Sequence, residues 1–324
     1  MNQSGPLLSI IIPTYNRCIR FIQDFPIPHS PNIEIIVVDD NSDHQYSSTI
    51  LNSLFSLGIG FRYYYCDLNS GPGFCRNIGI KMSLGKFLMF IDSDDYLTRA
   101  SLTSILYAIG QFLSDIDIFL IDVYNEGFSD TLRSSHYTPL TPIGALGLSD
   151  LVHNRFLSYR PVDKIVRRQF LVDNDISFPS SRSYEDIAYS RMLFCCQPRC
   201  MLIPNAYYLV SNTPDSVSRS IRRRDKDLAS ILQYENSWLA ARAPLSAFDR
   251  WLLDYSNLKL FFYEVFSFLN SNGFFRFQSG TYICRVFFLL RPRSNLIMLI
   301  LSIILHQLTN IKMVYAGFHR SKVN

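Results

Sequence analysis

The chain has 324 residues, of which 18% are charged and 14% aromatic, so it carries a sizeable core and is neither disordered nor fibrous. Its net charge of +4 is unevenly placed: seven Lys and Arg and no Asp or Glu follow Glu264, which leaves the body before it slightly acidic. That distribution excludes a nucleic-acid binder with a basic core and directs the tail toward an anionic lipid surface.

Five short apolar runs are expected to be strands. They are Leu7–Pro13, Ile33–Val38, Phe61–Cys66, Lys86–Ile91 and Ile116–Val123. Continuous β-branched and aromatic runs of this length read as strands buried on both faces of a mostly parallel sheet. Helical patterns lie between them. Leu102, Ile105, Leu106, Ile109 and Phe112 share one helix face, and Pro72 suits a first helical turn before Phe74–Leu84. Such alternation predicts an α/β doubly wound fold with ligands beyond the carboxyl ends of the strands. Residues 126–160 are loop-rich, and residues 161–218 return to mixed structure. From Leu228 the pattern is helical and becomes aromatic after Trp251.

The seven cysteines form no CxxC pair, and Cys195, Cys196 and Cys200 lack zinc-ligand spacing. An odd count read with an N-terminal stretch lacking a basic n-region predicts reduced thiols in a cytosolic compartment.

Two predicted strands end in acid. Asp39–Asp40–Asn41–Ser42 follows the second, and Asp92–Ser93–Asp94–Asp95 follows the fourth. Parallel strands share a carboxyl edge, so the clusters are expected to meet, and their oxygens suit Mg²⁺ or Mn²⁺ shared with phosphates. One cluster alone would read as helix caps. Gly71–Pro72–Gly73 leads into a helix, where free N–H groups face an anion.

PTYN after the first strand, VVDDNS after the second, the run from Asn69 through Arg76–Asn77 to Gly79, and FIDSDD after the fourth resemble glycosyltransferase family two in order and spacing. The stretch VDKIVRRQFLVDNDISFPSSRSYEDIAYS resembles the second half of that catalytic domain. The resemblance covers roughly residues 7–220. It implies a GT-A fold, Rossmann-like with helices on both faces of the sheet, and an inverting, metal-dependent transferase using a nucleotide sugar. It also implies roles. Pro13 and Tyr15 belong to the donor site, with Tyr15 stacked on the base. Asp40 or Asp39 accepts the imide N–H of a uracil. Asp92 and Ser93 face the sugar or ribose, Asp94 holds the metal, and Arg76 lies near the sugar or diphosphate. Asp186, with Glu185 beside it, takes the base position. Lys164 and Arg219 fall where the family contacts diphosphate or acceptor. Two departures stand out. The helix after PTYN breaks at Pro26, Pro28 and Pro31, and Phe74–Cys75 replaces the usual small residue before Arg76.

Some of these residues have plainer readings. Ser183–Tyr184–Glu185–Asp186 is also a capping box, whose helix terminus would lower the Asp186 pKa. Lys164 and Arg219 read equally as a solvated basic surface.

The tail carries dense aromatics from Trp251 to Phe288 and an apolar run, Leu296–Leu305, about half the roughly 20 residues a spanning helix needs. Apolar faces interleaved with Arg and Lys suit helices lying in a membrane interface. The other use of such faces is to complete the core or a homodimer contact.

The expected organisation is a catalytic domain over 1–225, with a nucleotide-sugar half at 7–125 and an acceptor half at 126–225. A helical membrane-associating region follows over 226–324. The expected reaction moves a sugar from a UDP-sugar to a hydroxyl of a lipid-linked saccharide, with Mn²⁺ or Mg²⁺ as cofactor and no nucleic-acid partner. The setting is the cytoplasmic face of a bacterial inner membrane, in O-antigen, capsule or exopolysaccharide synthesis. A sugar-phosphate nucleotidyltransferase is the rival enzyme, but it calls for a glycine-rich basic loop where PTYN stands. A non-catalytic nucleotide-sugar-binding protein needs no Asp94 and Asp186 together.

Overall fold

The computed structural model describes residues 5–20, 30–56, 60–125, 142–153, 157–181, 183–211, 225–242, 245–254, 256–257 and 260. The apolar runs form β1 (Leu8–Thr14), β2 (Ile33–Asp39), β3 (Phe61–Tyr65), β4 (Phe87–Phe90) and β6 (Ile118–Asn125). The further strands are β5 (Tyr96–Leu97), β7 (Pro142–Ala145), β8 (Lys164–Arg167) and β9 (Arg199–Val210). Helices are α1 (His44–Ser56), α2 (Pro72–Met82), α3 (Arg99–Gln111), α4 (Leu148–His153), α5 (Arg168–Asp173), α6 (Glu185–Cys195) and α7 (Asp225–Ala240).

One sheet runs in the order β3-β2-β1-β4-β8-β6-β9-β5, with β7 on β9. Strands β3, β2, β1 and β4 are mutually parallel, and so are β6 and β9. Strand β8 enters antiparallel between β4 and β6. Every residue of β1 and β4 is buried, so both faces of the sheet centre are covered. Leu8, Ile10 and Ile12 pack in one core with Ile50 and Leu54 of α1 and Leu102, Ile105 and Ile109 of α3. Ile11 points the other way, because strand side chains alternate. There it meets α2 so closely that a Cβ on Gly79 would stand 2.2 Å from the Ile11 Cγ2.

Strand β3 departs from the expectation of burial on both faces. It closes the sheet edge and its residues are half-buried or exposed. The helix begun by Pro72 holds as expected, with Gly71 ahead of it at φ 92. Thr98 caps α3 by accepting the Ser101 N–H at 3.1 Å.

The chain divides into two compact units. The first is Met1–Ser220 with Lys226–Leu245, and the second Ile221–Asp225 with Ser246–Asn324. Helix α7 therefore belongs with the catalytic body rather than with the C-terminal region expected to begin at 226. Its anchors are polar. Trp238 donates its indole N–H to the Asp175 carbonyl at 2.9 Å, and Tyr234 meets the Ser177 hydroxyl at 2.6 Å. Arg191 of α6 pairs with Glu235 at 3.1 Å, both buried. In the second unit, Ser246 and Asp249 cap the helix at 247–254 reciprocally, and Phe248 stacks on Trp251. No helix of the described residues is long and apolar enough to cross a membrane. The aromatic and basic stretch from 261 onward lies outside the described residues, as does Arg219.

Candidate active site

Strands β1, β2 and β4 end at one edge, so the turns after Thr14, Asp39 and Phe90 lie together. The acidic clusters converge there as expected, but their carboxylates do not all face one space. Pro13 is buried within β1 against Val38. Asp39 turns inward and accepts the Ser42 N–H and Ser47 hydroxyl at 2.8 Å, and the Tyr63 hydroxyl at 2.5 Å. Asp40 accepts the Ser70 and Gly71 N–H groups, each at 2.8 Å. This holds the turn into α2. A carboxylate has about four acceptor sites, so Asp40 keeps some for a ligand.

Cys66 and Cys75 lie behind Asp40, and one ligand atom of each of the three falls within 4.8 Å of the others. We read this as a hydrogen-bonded cluster rather than a metal cage. Burial, then the Asp40 charge, pushes both thiols up, so they keep their protons. The six described cysteines are free.

Asp95 also turns inward. Its oxygens accept the Ser211 N–H at 2.8 Å and the Tyr208 hydroxyl at 2.9 Å. Burial, then Asp92, raises its pKa to about 7. Tyr208 accepts the Asp92 N–H in turn, so β9 shapes the acidic loop from 113 residues away. Asp92 and Asp94 remain as the outward carboxylates, with side chains 39% and 21% exposed. Hard oxygen donors of this kind fit Mg²⁺ or Mn²⁺. Ser93 between them is buried, and its carbonyl accepts the Arg20 N–H at 2.9 Å. Tyr15, 49% exposed, presents its ring at the end of β1.

Arg76 bridges two parts of the site. It is 4% exposed, and its two terminal nitrogens bond Asp92 at 2.8 Å and Glu185 at 2.9 Å. It joins the acidic loop to α6. Its guanidinium also lies 5.3 Å from the Phe178 ring centroid, and Phe178 stacks on Tyr189 at 4.0 Å.

The capping-box reading of Ser183 does not hold. Tyr184 occupies the N-cap position, left-handed at φ 64, with no side-chain cap bond. Asp186 instead accepts the Ile187 N–H at 2.9 Å. The expected lowering of its pKa is also reversed. Burial pushes Asp186 up despite the pull of Arg76. Burial raises Glu185 to about 7, against Arg76 and with the Asp186 charge adding to the rise. The pair therefore takes up a proton at higher pH than ordinary carboxylates do.

Lys164 is another correction. It is fully buried, and its ammonium donates to the Ser158 and Arg160 carbonyls and to Asp163, each at 2.6 Å. Neither a ligand contact nor a solvated surface describes it.

Sequence reasoning passed over Arg17 and Arg20. Arg17 pairs with Asp94. Arg20 lies over the Tyr96 ring at 4.6 Å and donates to the Ser211 hydroxyl. The available signal was their position directly after PTYN, on the turn facing the second acidic motif.

The sequence model described as "Glycosyl transferase family 2" matches residues 9–178. That is more than half of the chain, and the protein belongs to glycosyltransferase family 2. The poly(ribitol-phosphate) β-N-acetylglucosaminyltransferase TarS of Staphylococcus aureus is 27% identical over 280 residues. That alignment takes in 82% of this chain but 45% of TarS, so the chain spans just under half the length of that relative. The succinoglycan biosynthesis protein ExoO of Rhizobium meliloti is 25% identical over 227 residues, or 67% of this chain and 64% of ExoO. In structure, TarS 1-349 in complex with UDP-GlcNAc superposes with a TM-score of 0.65 at 21% identity, over 86% of this chain and 79% of that one. The mannosyltransferase PcManGT of Pyrobaculum calidifontis, in complex with GDP-Man and Mn²⁺, gives 0.55 at 14%, over 81% and 73%. These likenesses establish the GT-A fold.

Proposed function

We propose that the protein transfers a hexosyl or N-acetylhexosaminyl group, with inversion, from a UDP-sugar to a hydroxyl of a lipid-linked saccharide in bacterial surface-polysaccharide synthesis. The observation that carries this is the bridge of Arg76 between Asp92 and Glu185. It brings a donor-side acidic loop together with the buried Glu185 and the half-buried Asp186 beside it. Tyr15 stacks on the base, and Asp40 accepts the uracil imide. The TarS structures with UDP and UDP-GlcNAc support this donor class. The name of ExoO supports a polysaccharide product.

Asp92 and Asp94 would hold Mn²⁺ or Mg²⁺. Bound there, the cation supplies charge stabilisation for the departing diphosphate. Asp186 takes the proton of the acceptor hydroxyl at its free carboxylate oxygen, opposite the leaving group. Glu185, tied to Arg76, fixes the start of α6 and so the position of Asp186. Glu185 is buried, while Asp186 keeps enough exposure for an acceptor to reach it. The tail from 261 holds the enzyme at the cytoplasmic face of the membrane, where the acceptor resides.

The experiment is a thermal-shift panel of nucleotide sugars with Mn²⁺. UDP-sugars should stabilise the protein and GDP-sugars should not, and Asp94→Ala should remove the metal-dependent part. Equal shifts with every base, or none with any, would sink this reading.

A further inference from the structure

The turn after β1 is held from two sides. Asn16, left-handed at φ 48, donates its N–H to the Ser42 hydroxyl at 2.8 Å, and its side-chain carbonyl accepts the Asp43 N–H at 2.7 Å. Thr14 donates its hydroxyl to the Arg17 carbonyl at 3.1 Å. At the other end, Arg20 donates its N–H to Ser93 and lies over Tyr96. Arg17 therefore stands on a fixed turn between the exposed Tyr15 ring and the acidic loop, and its guanidinium is paired with Asp94. Arg17 is two residues from Tyr15 and bonded to Asp94, so a diphosphate joining a base on one to a cation on the other would come near it.

We propose that Arg17 makes cation binding conditional on the nucleotide. With no donor present it neutralises Asp94. When cation and diphosphate arrive together, it turns to the phosphate oxygens. The inference rests on the reading of Asp94 as a metal ligand.

The reasoning is electrostatic. A cation arriving alone must displace a guanidinium from Asp94 and then sit beside that positive charge. A cation arriving with a diphosphate meets no such loss, because the guanidinium gains a bidentate anionic partner. The two ligands are thus coupled, and coupling between binding free energies is reciprocal. Arg17 is 26% exposed and Asp94 21%, so the pair is within reach of a ligand and screened only in part.

The test measures Mn²⁺ affinity from the free-Mn²⁺ electron paramagnetic resonance signal, with and without UDP, on the full chain. A protein-free control removes chelation by UDP itself. In the unaltered protein, UDP should strengthen Mn²⁺ binding. Arg17→Gln should tighten Mn²⁺ binding without UDP about five-fold, as expected for loss of one competing ion pair. It should also shrink the gain that UDP brings. Arg17→Lys keeps the charge without the fork, so it should keep Mn²⁺ weak without UDP and lose part of the gain. If Arg17→Gln leaves Mn²⁺ affinity without UDP unchanged or weaker, the proposal is overturned. Asp94→Asn separates the two readings. Should that variant bind Mn²⁺ with UDP as well as the unaltered protein does, Asp94 is no metal ligand and the inference falls with it.

Discussion

Arg76 and Glu185 lie 109 residues apart in sequence and meet in a buried ion pair at 2.9 Å. The pair fastens the first turn of α2 to the first turn of α6, which carries Asp186 next to Glu185. Gly73 makes the approach feasible, since a Cβ there would lie 2.9 Å from the Pro179 carbonyl and 3.0 Å from the Glu185 Cγ. The bond on the other side of Arg76, to Asp92, makes one guanidinium answer to both halves of the site.

Turnover should depend on pH through this pair. Burial raises Glu185 to about 7 and also raises Asp186, so the pair takes up a proton as pH falls through neutrality. A base must be ionised to work, so the expected profile is an acid limb above the ordinary carboxylate range, with activity lost below it. Glu185→Gln removes a neighbouring negative charge and lets Asp186 ionise at lower pH. The limb should then move to lower pH in a pH–kcat profile, and a limb that stays in place would assign it to another group.

Asp186→Asn should keep donor binding and lose most turnover, by about 10²–10⁴-fold as for other general bases. The asparagine oxygen can still accept the Ile187 N–H, so the melting temperature should not fall. Isothermal titration with UDP beside a transfer assay separates the two effects. Near-normal turnover would move the base role to Glu185.

Helix α2 is pressed against β1 at Gly79. Gly79→Ala forces the helix and Ile11 apart, at a cost of about 1–3 kcal/mol for overpacking. Urea unfolding measures this directly. A variant as stable as the parent would show that α2 can shift without loss.

The Arg191–Glu235 pair is buried on both sides, and burial raises the Glu235 pKa. Arg191→Met leaves a buried carboxylate without its cation, which should cost about 3–5 kcal/mol. Replacing Glu235 with Leu as well should recover much of that stability, because a buried pair and apolar residues of similar volume are often equivalent. Chemical denaturation of the single and double variants gives the coupling. Additive losses would mean that the pair is not the source of the cost.

Ending the chain after Leu245 should release it from membranes while UDP binding persists, because α7 is retained. Flotation with anionic vesicles tests the first part. High salt should weaken binding of the full chain only partly, since buried aromatics add a salt-insensitive share. A truncated chain that still floats would place the membrane contact elsewhere.

The strand runs and acidic turns were legible in the sequence because hydrophobic runs and parallel pairing decide them locally. Side-chain direction was not. VVDDNS shows four polar or acidic neighbours but not that Asp39 is spent on Tyr63 and Asp40 on the turn before α2. Lys164 read as a surface cation because the carbonyls that bury it belong to residues 158 and 160, in a turn without periodicity. The pairing of Arg76 with Glu185 was not legible because the two lie far apart in the chain. Strand β8, four residues long, wedges antiparallel between β4 and β6, and such long-range pairing leaves no local mark.

Helix α7 has a consequence for synthesis. Helix α6, which carries Asp186, emerges from the ribosome well before Trp238 and Glu235, which pack beside it. Until they appear, the ion pair between Arg191 and Glu235 cannot form, although Tyr189 of α6 already has its ring partners Phe90 and Phe178. A nascent chain stalled near residue 220 would hold every family motif and still lack the contacts of Tyr234, Glu235 and Trp238. The last step in building this active site is therefore taken by residues that take no part in its chemistry.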